Sequence, residues 1–320
     1  MPHTDSAAPL IKALAACFSR HIAPGSRVTL ALSGGVDSMA LLHACLEMQR
    51  AGQFEFTLDV VHVHHGLSPH ADAWTAFCQE RSAYYGLPCE VVRVEVERGS
   101  SDGLEGAARR ARHAVFRDRD CDWLLLAHHQ DDQAETMLFN LLRGSGLAGA
   151  AGMHECNGRL LRPWLDVTRA EIERYAQEKA LTWIVDESNA DERFSRNYLR
   201  ARIFPVLRER FPAGPRNLAR AAGHFSEARR LLDELACLDL GDAPQGFPLS
   251  LKCLKNLSEA RARNLLRFLF SIRQVPIPSE ARLSEAVQQL CEAGPDKHPV
   301  IRFGPYELVR RRDQVDLLTI

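Results

Sequence analysis

Six consecutive residues, Ser33-Gly34-Gly35-Val36-Asp37-Ser38, put two hydroxyls, two glycines and a carboxylate into one turn. Two glycines let the backbone reach positive φ and approach a ligand closely. Where such a turn opens a helix, its N–H groups converge on one point and favour an anion there. Ser33 and Ser38 add hydroxyl donors. Asp37 would repel a bare phosphate, so its place in the turn points to Mg2+ shared between carboxylate and phosphate oxygens. Two commoner phosphate loops are excluded. The string lacks GxxxxGK[ST], with no lysine near the turn, and it lacks GxGxxG.

Other residues with chemical potential follow. Arg109 and Arg112 are three apart and share a helix face; they could neutralise a polyphosphate or serve only as a salt-bridged surface. His128, Asp132 and Glu135 fall at i, i+4 and i+7, one stripe of a helix expected to start here with Asp131 as its N-cap. Asp132 is then placed to join Asp37 at Mg2+. Arg143-Gly144-Ser145-Gly146 reads as a glycine-ended helix leading into a flexible loop. Between Arg193 and Arg220 lie eight arginines against one acid, Glu209. Arg196 and Arg200 share a face of this stretch and are candidates for phosphate contacts, the alternative being a solvated face with acids supplied from elsewhere in the fold.

The elements that must position these groups are legible as alternating patterns. Val28–Leu32, Leu58–Val63, Val91–Val96 and Trp123–Ala127 are short apolar or β-branched runs, read as buried strands. Helical patterns lie between them at Met39–Arg50, Ala71–Tyr85 and Leu104–Asp118, with an amphipathic helix at the start, Met1–Arg20. The alternation predicts an α/β fold with a doubly wound, mostly parallel sheet, binding its ligand at the carboxyl ends of strands near a topological switch point. Val167–Lys179 is a further helix, with Thr168 and Glu171 forming a capping box. Phe211-Pro212-Ala213-Gly214-Pro215 breaks the chain, and a boundary is expected near 213–217, separating a catalytic domain, 1–215, from a smaller one, 216–320. The second is expected to be mainly helical (Asn217–Leu240, Ser258–Arg273). It should end in a hairpin of Val300–Phe303 and Glu307–Leu318, turning at Gly304-Pro305.

The bulk numbers exclude several classes. No apolar run approaches the roughly 20 residues of a membrane span, and the N-terminus lacks the features of a signal peptide, so the protein reads as cytoplasmic. Nine cysteines are scattered without a CxxC pair, which argues against a disulfide framework, a zinc knuckle or a sulfur-carrying thiol pair. The net charge of −1 does not by itself advertise nucleic acid.

The turn at 33–38 resembles the SGGxDS motif of the PP-loop ATP pyrophosphatase superfamily. Further strings narrow the resemblance: Val61-His62-Val63-His64-His65-Gly66-Leu67, Glu105 to Arg112, Ala127 to Thr136, Arg143 to Gly146 with Gly152-Met153 and Arg162-Pro163, then Asp186 to Asn189 and Arg196 to Arg200. In this order they are similar to the tRNA(Ile)-lysidine synthase family, from about Ala31 to Pro205 and more loosely beyond. That family's helix usually reaches a tyrosine where this chain has His113, which puts a role for position 113 in doubt.

The resemblance implies an adenine nucleotide α-hydrolase-like fold and a ligase that joins free lysine to C2 of the wobble cytidine in an isoleucine tRNA with a CAU anticodon. ATP would be split between its α and β phosphates, adenylating the cytidine carbonyl and releasing pyrophosphate; the lysine amine then displaces AMP. ATP is assigned to Ala31, Ser33, Gly34, Gly35, Val36, Asp37, Ser38 and His62. Asp37 and Asp132 would hold Mg2+. Arg109 and Arg112 would steady phosphate charge. His128 and Glu135 would meet the cytosine edge or take a proton from the amine, and Arg143, Arg196 and Arg200 would meet tRNA. Arg310-Arg311-Arg312 would help residues 216–320 dock tRNA. Longer family members carry a further C-terminal domain, so a chain ending at Ile320 reads as a short natural form or a truncated one. The oligomeric state stays open, a homodimer being one arrangement. Rival readings are a PP-loop tRNA thiolase, a small-molecule PP-loop synthetase and a non-catalytic tRNA-binding module.

Overall fold

The computed structural model describes residues 7–97, 103–187, 191–294 and 296–320. Ser188 and Asn189 of the string at 186–189, and the first six residues of the expected N-terminal helix, lie outside them. The chain forms two compact units, Met1–Ser226 and Glu227–Ile320.

The first unit runs α1 (Ala7–His21), β1 (Ser26–Ala31), α2 (Val36–Arg50), β2 (Phe56–His64), α3 (Ala71–Tyr84), β3 (Cys89–Arg93), α4 (Gly103–Asp118) and β4 (Trp123–Leu125). It continues through α5 (Gln130–Leu142), α6 (Leu147–Ala150), β5 (Cys156–Asn157), β6 (Leu160–Leu161), α7 (Arg169–Glu178), α8 (Ser195–Tyr198), a π-helical turn (Leu199–Ile203) and α9 (Phe204–Arg210). Helix α10 (Gly214–Leu240) has Pro215 in its first turn, where a missing N–H leaves no partner stranded; the two units divide within this helix, between Ser226 and Glu227, and not at 215–216.

The six strands are ordered β3-β2-β1-β4-β6-β5, parallel except for β5. β1 is the hinge of this order. Leu30 stands opposite Val60 of β2 on one side and Leu125 of β4 on the other. The chain winds outward from β1 through β2 to β3, then crosses back to β4, so the switch point falls between β1 and β4. Leu30, Leu125, Leu161, Met39, Leu41, Trp164 and Tyr175 are fully buried in the core beneath it. Each such side chain contributes roughly 1.5–3 kcal/mol by leaving water. β4 is shorter than expected. It ends at Leu125, which leaves Ala127 and His128 in the loop above the sheet. The capping box on α7 forms as expected: Glu171 N–H donates to Thr168 Oγ1 (3.2 Å), and Thr168 N–H donates to Glu171 Oε2 (2.8 Å).

The second unit contains β7 (Leu249–Ser250), α11 (Leu251–Lys255), α12 (Glu259–Ile272), α13 (Glu280–Glu292), β8 (Val300–Phe303), β9 (Tyr306–Arg311) and β10 (Gln314–Thr319). Its sheet is antiparallel, ordered β7-β10-β9-β8. The hairpin at Gly304-Pro305 is present, but residues 307–318 are two strands rather than one, reversing at Arg312-Asp313. Arg312 takes positive φ (53°), a conformation that sequence signals reserve for glycine or asparagine, so the turn carries no mark.

The triple arginine at 310–312 also departs from expectation. Arg310 is buried, 3% exposed. Its guanidinium donates to the carbonyls of Leu290 (3.1 Å), Ala293 (2.6 Å) and Arg312 (3.1 Å), satisfying the end of α13 instead of facing a nucleic acid. Arg310 is the last of three consecutive buried residues of β9, and Arg311 beside it is exposed. Arg310→Met should therefore lower the unfolding free energy of the full chain by about 1–3 kcal/mol, because three carbonyls lose their donor. Arg311→Ala, at an exposed position, should stay within about 0.5 kcal/mol. Urea unfolding of the two variants checks this.

Candidate active site

The turn after β1 is held in a shape only glycine permits at one position. Gly34 has φ +86°, and a Cβ there would lie 2.6 Å from Ile184 Cδ1 and 3.2 Å from Cys78 Sγ. Its carbonyl also accepts from Ile184 N–H (2.9 Å), which ties the turn to the segment after α7. Gly35 caps α2 with ordinary extended backbone. Ser33 Oγ and Ser38 Oγ are 3.1 Å apart, and Ser38 Oγ–H donates to the Gly35 carbonyl (3.0 Å).

Above this turn lies a cavity of about 710 Å³ at the carboxyl ends of β1, β2 and β4, where the topology requires a ligand site. Of the expected residues, Ala31, Ser33, Asp37, Ser38, His62, Arg112, His128 and Asp132 line it. Gly34, Gly35 and Val36 of the turn do not, nor do Arg109, Glu135, Arg143, Arg196 and Arg200. Arg143 and Arg196 stack over the same ring, Phe139, with guanidinium carbons 5.2 and 5.9 Å from its centroid. Arg109 stands near Arg112 and His113 on α4.

The acidic group differs from the expected stripe. α5 begins at Gln130, so His128 is in the preceding loop and not on the helix with Asp132 and Glu135. Nor is Asp131 the N-cap. His129 is: its Nδ1 accepts from Asp132 N–H (3.4 Å), and Asp132 Oδ2 accepts from His129 N–H (3.1 Å). Asp131 instead accepts from Arg169 N–H (3.0 Å) and pairs with Arg208 (2.5 Å). His129, 2% exposed, puts its Nε2 between two carboxylates, 3.4 Å from Asp132 Oδ2 and 3.7 Å from Asp37 Oδ1. That Asp37 oxygen is buried and has no hydrogen-bond partner. Sequence reasoning missed His129; the doubled histidine directly before the acids was its only mark.

Glu135 is buried away from the cavity and clamped by Arg200, whose Nε and Nη2 each lie 2.7 Å from a carboxylate oxygen; Nη2 also reaches Asp132 Oδ1 (3.4 Å). Arg200 sits in the π-helical turn. Pro205 has no N–H to offer the Ala201 carbonyl, which loosens the helical ladder there and re-aims the arginine. Much of the basic stretch is neutralised in the same way, with Arg193 paired to Asp191 and Arg202 to Glu192.

The charges in this site pull against burial. Burial raises Asp37 above the usual carboxylate range, with His129 only partly opposing it. Burial also acts to raise Asp132, but His129, His128 and the His129 N–H outweigh it and hold that carboxyl below the usual range. Glu135 is raised by burial despite Arg200. Among the histidines, burial lowers His62, takes His65 and His113 to about 4, and takes His128 to about 3, with nearby arginines adding to the effect on the last three.

Comparison with known proteins is consistent along the chain. The family model for a PP-loop domain matches residues 7–207, and that for a TilS substrate binding domain matches residues 249–315. The chain is 49% identical over 287 residues to a tRNA(Ile)-lysidine synthase of Azoarcus sp. (strain BH72), covering 87% of this chain and 63% of that one. It is 44% identical over 310 residues to a tRNA(Ile)-lysidine synthase of Alkalilimnicola ehrlichii, covering 94% and 69%. It thus spans about two thirds of the length of the curated relatives it matches. Among solved structures, the U34-tRNA thiolase NcsA from Methanococcus maripaludis, determined with its [4Fe-4S] cluster, aligns with a TM-score of 0.51 at 19% identity. The alignment covers 69% of this chain and 80% of that one, a likeness of fold.

Depressed histidine pKa values carry a pH signature. His113 has a folded-state pKa of about 4 against an ordinary 6.5. As pH falls below 6.5 the unfolded chain takes up the proton first, so this contribution to stability is present above 6.5 and is lost toward pH 4. His113→Asn should therefore gain on the wild type by at most about 1.4 kcal/mol per pH unit across that window. Urea unfolding of both proteins at pH 7 and pH 5 measures it; an unchanged difference would refute a buried neutral imidazole.

Proposed function

The chain belongs to the tRNA(Ile)-lysidine synthase family, and on that premise we propose that it makes lysidine, ligating free lysine to C2 of the wobble cytidine in an isoleucine tRNA with a CAU anticodon at the expense of ATP. The observation that carries the reading is the union of the SGGxDS turn with a buried Asp37 oxygen that accepts no hydrogen bond, in one cavity at the switch point.

The residues divide the work. The turn at Ser33–Ser38 offers backbone and hydroxyl donors to the leaving pyrophosphate, at the amino end of α2, where the helix dipole favours negative charge. Asp37 and Asp132 fit a hard divalent cation, because such ions take oxygen ligands and the buried Asp37 oxygen accepts no hydrogen bond, its nearest ionisable neighbour being His129 Nε2 at 3.7 Å. Mg2+ held there would neutralise the charge on the separating phosphates. Arg112 on the cavity wall, with Arg109 beside it, adds fixed positive charge toward the triphosphate. Arg143 and Arg196, joined through Phe139, are the contacts proposed for tRNA phosphate, and Ala31 and His62 border the adenine. The wobble base must leave its stack to enter the cavity, which costs on the order of a few kcal/mol.

The lysine amine attacks only when deprotonated. Glu135 does not itself line the cavity; its part is indirect, holding the Arg200 guanidinium that also reaches Asp132. The reading places catalysis in the cytoplasm, and no helix among the described residues is long and apolar enough to cross a membrane. The thiolase alternative is not favoured. Cys17, Cys45, Cys78 and Cys121 are buried with thiols pushed up by that burial, and among the described residues no three cysteines converge.

The test is incubation of the full chain with ATP, Mg2+, labelled lysine and an isoleucine tRNA transcript. Label should enter the tRNA, with AMP and pyrophosphate formed only when tRNA is present. Asp37→Ala should lower turnover by about 10²–10³-fold while leaving tRNA binding intact. Formation of ADP and orthophosphate, or undiminished turnover in the variant, would overturn the mechanism.

A further inference from the structure

Arg162 follows the short strand β6 and is 4% exposed. Burying a guanidinium is costly unless its donors are met. One donor, Nη1–H, goes to the His154 carbonyl (2.9 Å), and Nε–H goes to His128 Nδ1 (3.3 Å). The second bond has a chemical consequence. An arginine Nε is always a donor, so Nδ1 of His128 must be the acceptor and carry no proton. A neutral imidazole protonates one nitrogen only. His128 therefore bears its proton on Nε2, and His128 is part of the cavity wall.

His62, on the same wall, is set the other way. Its Nδ1 lies 2.8 Å from the Leu32 carbonyl, which can only accept, so Nδ1 is protonated and Nε2 is bare. The wall thus carries one ring nitrogen fixed as an acceptor and another fixed as a donor.

We infer that Arg162 is a positioning residue: it locks His128 as the Nε2–H tautomer, so that His128 donates a hydrogen bond to an acceptor on the bound substrate and does not take a proton from the attacking amine. Of the two roles open to His128, donor and base, the bond from Arg162 leaves only the first. Resting on the lysidine reading, the acceptors within this chemistry are N3 and O2 of the cytosine and the oxygens of the α-phosphate. The charged groups acting on His128 agree. Arg162, Arg112 and Arg109 disfavour its protonated form and only Asp132 favours it, while burial holds its pKa at about 3. An imidazole of that basicity is a poor base at neutral pH and a serviceable neutral donor.

Two substitutions isolate the bond. Gln places its amide nitrogen where Nε of arginine stood, counting along the side chain, and keeps a donor to Nδ1. Met has a methyl group there and keeps none. Both remove the charge and the bond to His154. The expected result is that Arg162→Met loses about 2–10-fold more kcat/KM for labelled lysine incorporation than Arg162→Gln, the worth of a neutral hydrogen bond. Equal losses in the two would overturn the proposal.

A second measurement uses the wild-type chain without substrates, so it stands whether or not the lysidine reading does. In 15N-histidine-labelled protein, long-range proton–nitrogen correlations, assigned by comparison with His128→Gln, should show Nδ1 of His128 unprotonated and Nε2 protonated at pH 7. Arg162→Met should blur this into a tautomer mixture. A protonated Nδ1 in the wild type refutes the inference even if the Met variant does not fold. Absence of wild-type lysine incorporation alongside the expected spectrum would count against the lysidine reading alone.

Discussion

Two carboxylates of the cavity wall held on either side of one buried imidazole are the constraint around which the first unit is arranged. Asp37 comes from the first turn of α2 and Asp132 from the first turn of α5, and both helices follow strands adjacent in the sheet. Burial raises Asp37 above the usual carboxylate range, and the like charge of Asp132 adds to that rise. The surroundings stabilise Asp132 through His128, His129 and Arg200 and leave one Asp37 oxygen without a donor. A site that satisfies one acid and starves its neighbour is primed for a cation shared with a bound anion.

Three arginines show how the fold assigns different work to one residue type. Arg200 neutralises a buried acid, Arg310 satisfies the carbonyl end of a helix, and Arg162 links a carbonyl to a cavity histidine. None of these behaves as a mobile surface cation. The planar guanidinium, with five fixed donors and a permanent charge, suits each task, and lysine would not replace it. The stretch from 193 to 220 looks like a phosphate-binding surface by composition, yet Arg193, Arg200, Arg202 and Arg208 pair with carboxylates, those of Arg200 and Arg208 remote in sequence.

Two positions where the backbone departs from regular form lie at or beside the site. Gly34 holds positive φ against Ile184, and the π-helical turn at 199–203 turns Arg200 toward Glu135. Each local irregularity is stabilised by a contact from a distant segment.

The chemistry of the turn at 33–38, the alternation of strands and helices, the capping box at Thr168 and the missing cysteine pairs were all readable from residue order, because each depends on neighbours within a few positions. The arrangement of the acid group was not. A 3.6-residue repeat put His128 on one stripe with Asp132 and Glu135, but β4 stops at Leu125 and α5 starts at Gln130, so His128 lies in the connection and His129 becomes the cap. Likewise nothing local marks Arg312 as a turn, distinguishes buried Arg310 from exposed Arg311, or pairs Arg162 with a histidine 34 residues earlier. Local order specifies which groups are on offer. Which of them lose water, and which partners then satisfy them, is decided only when sheet register and helix packing bring distant segments to the same place.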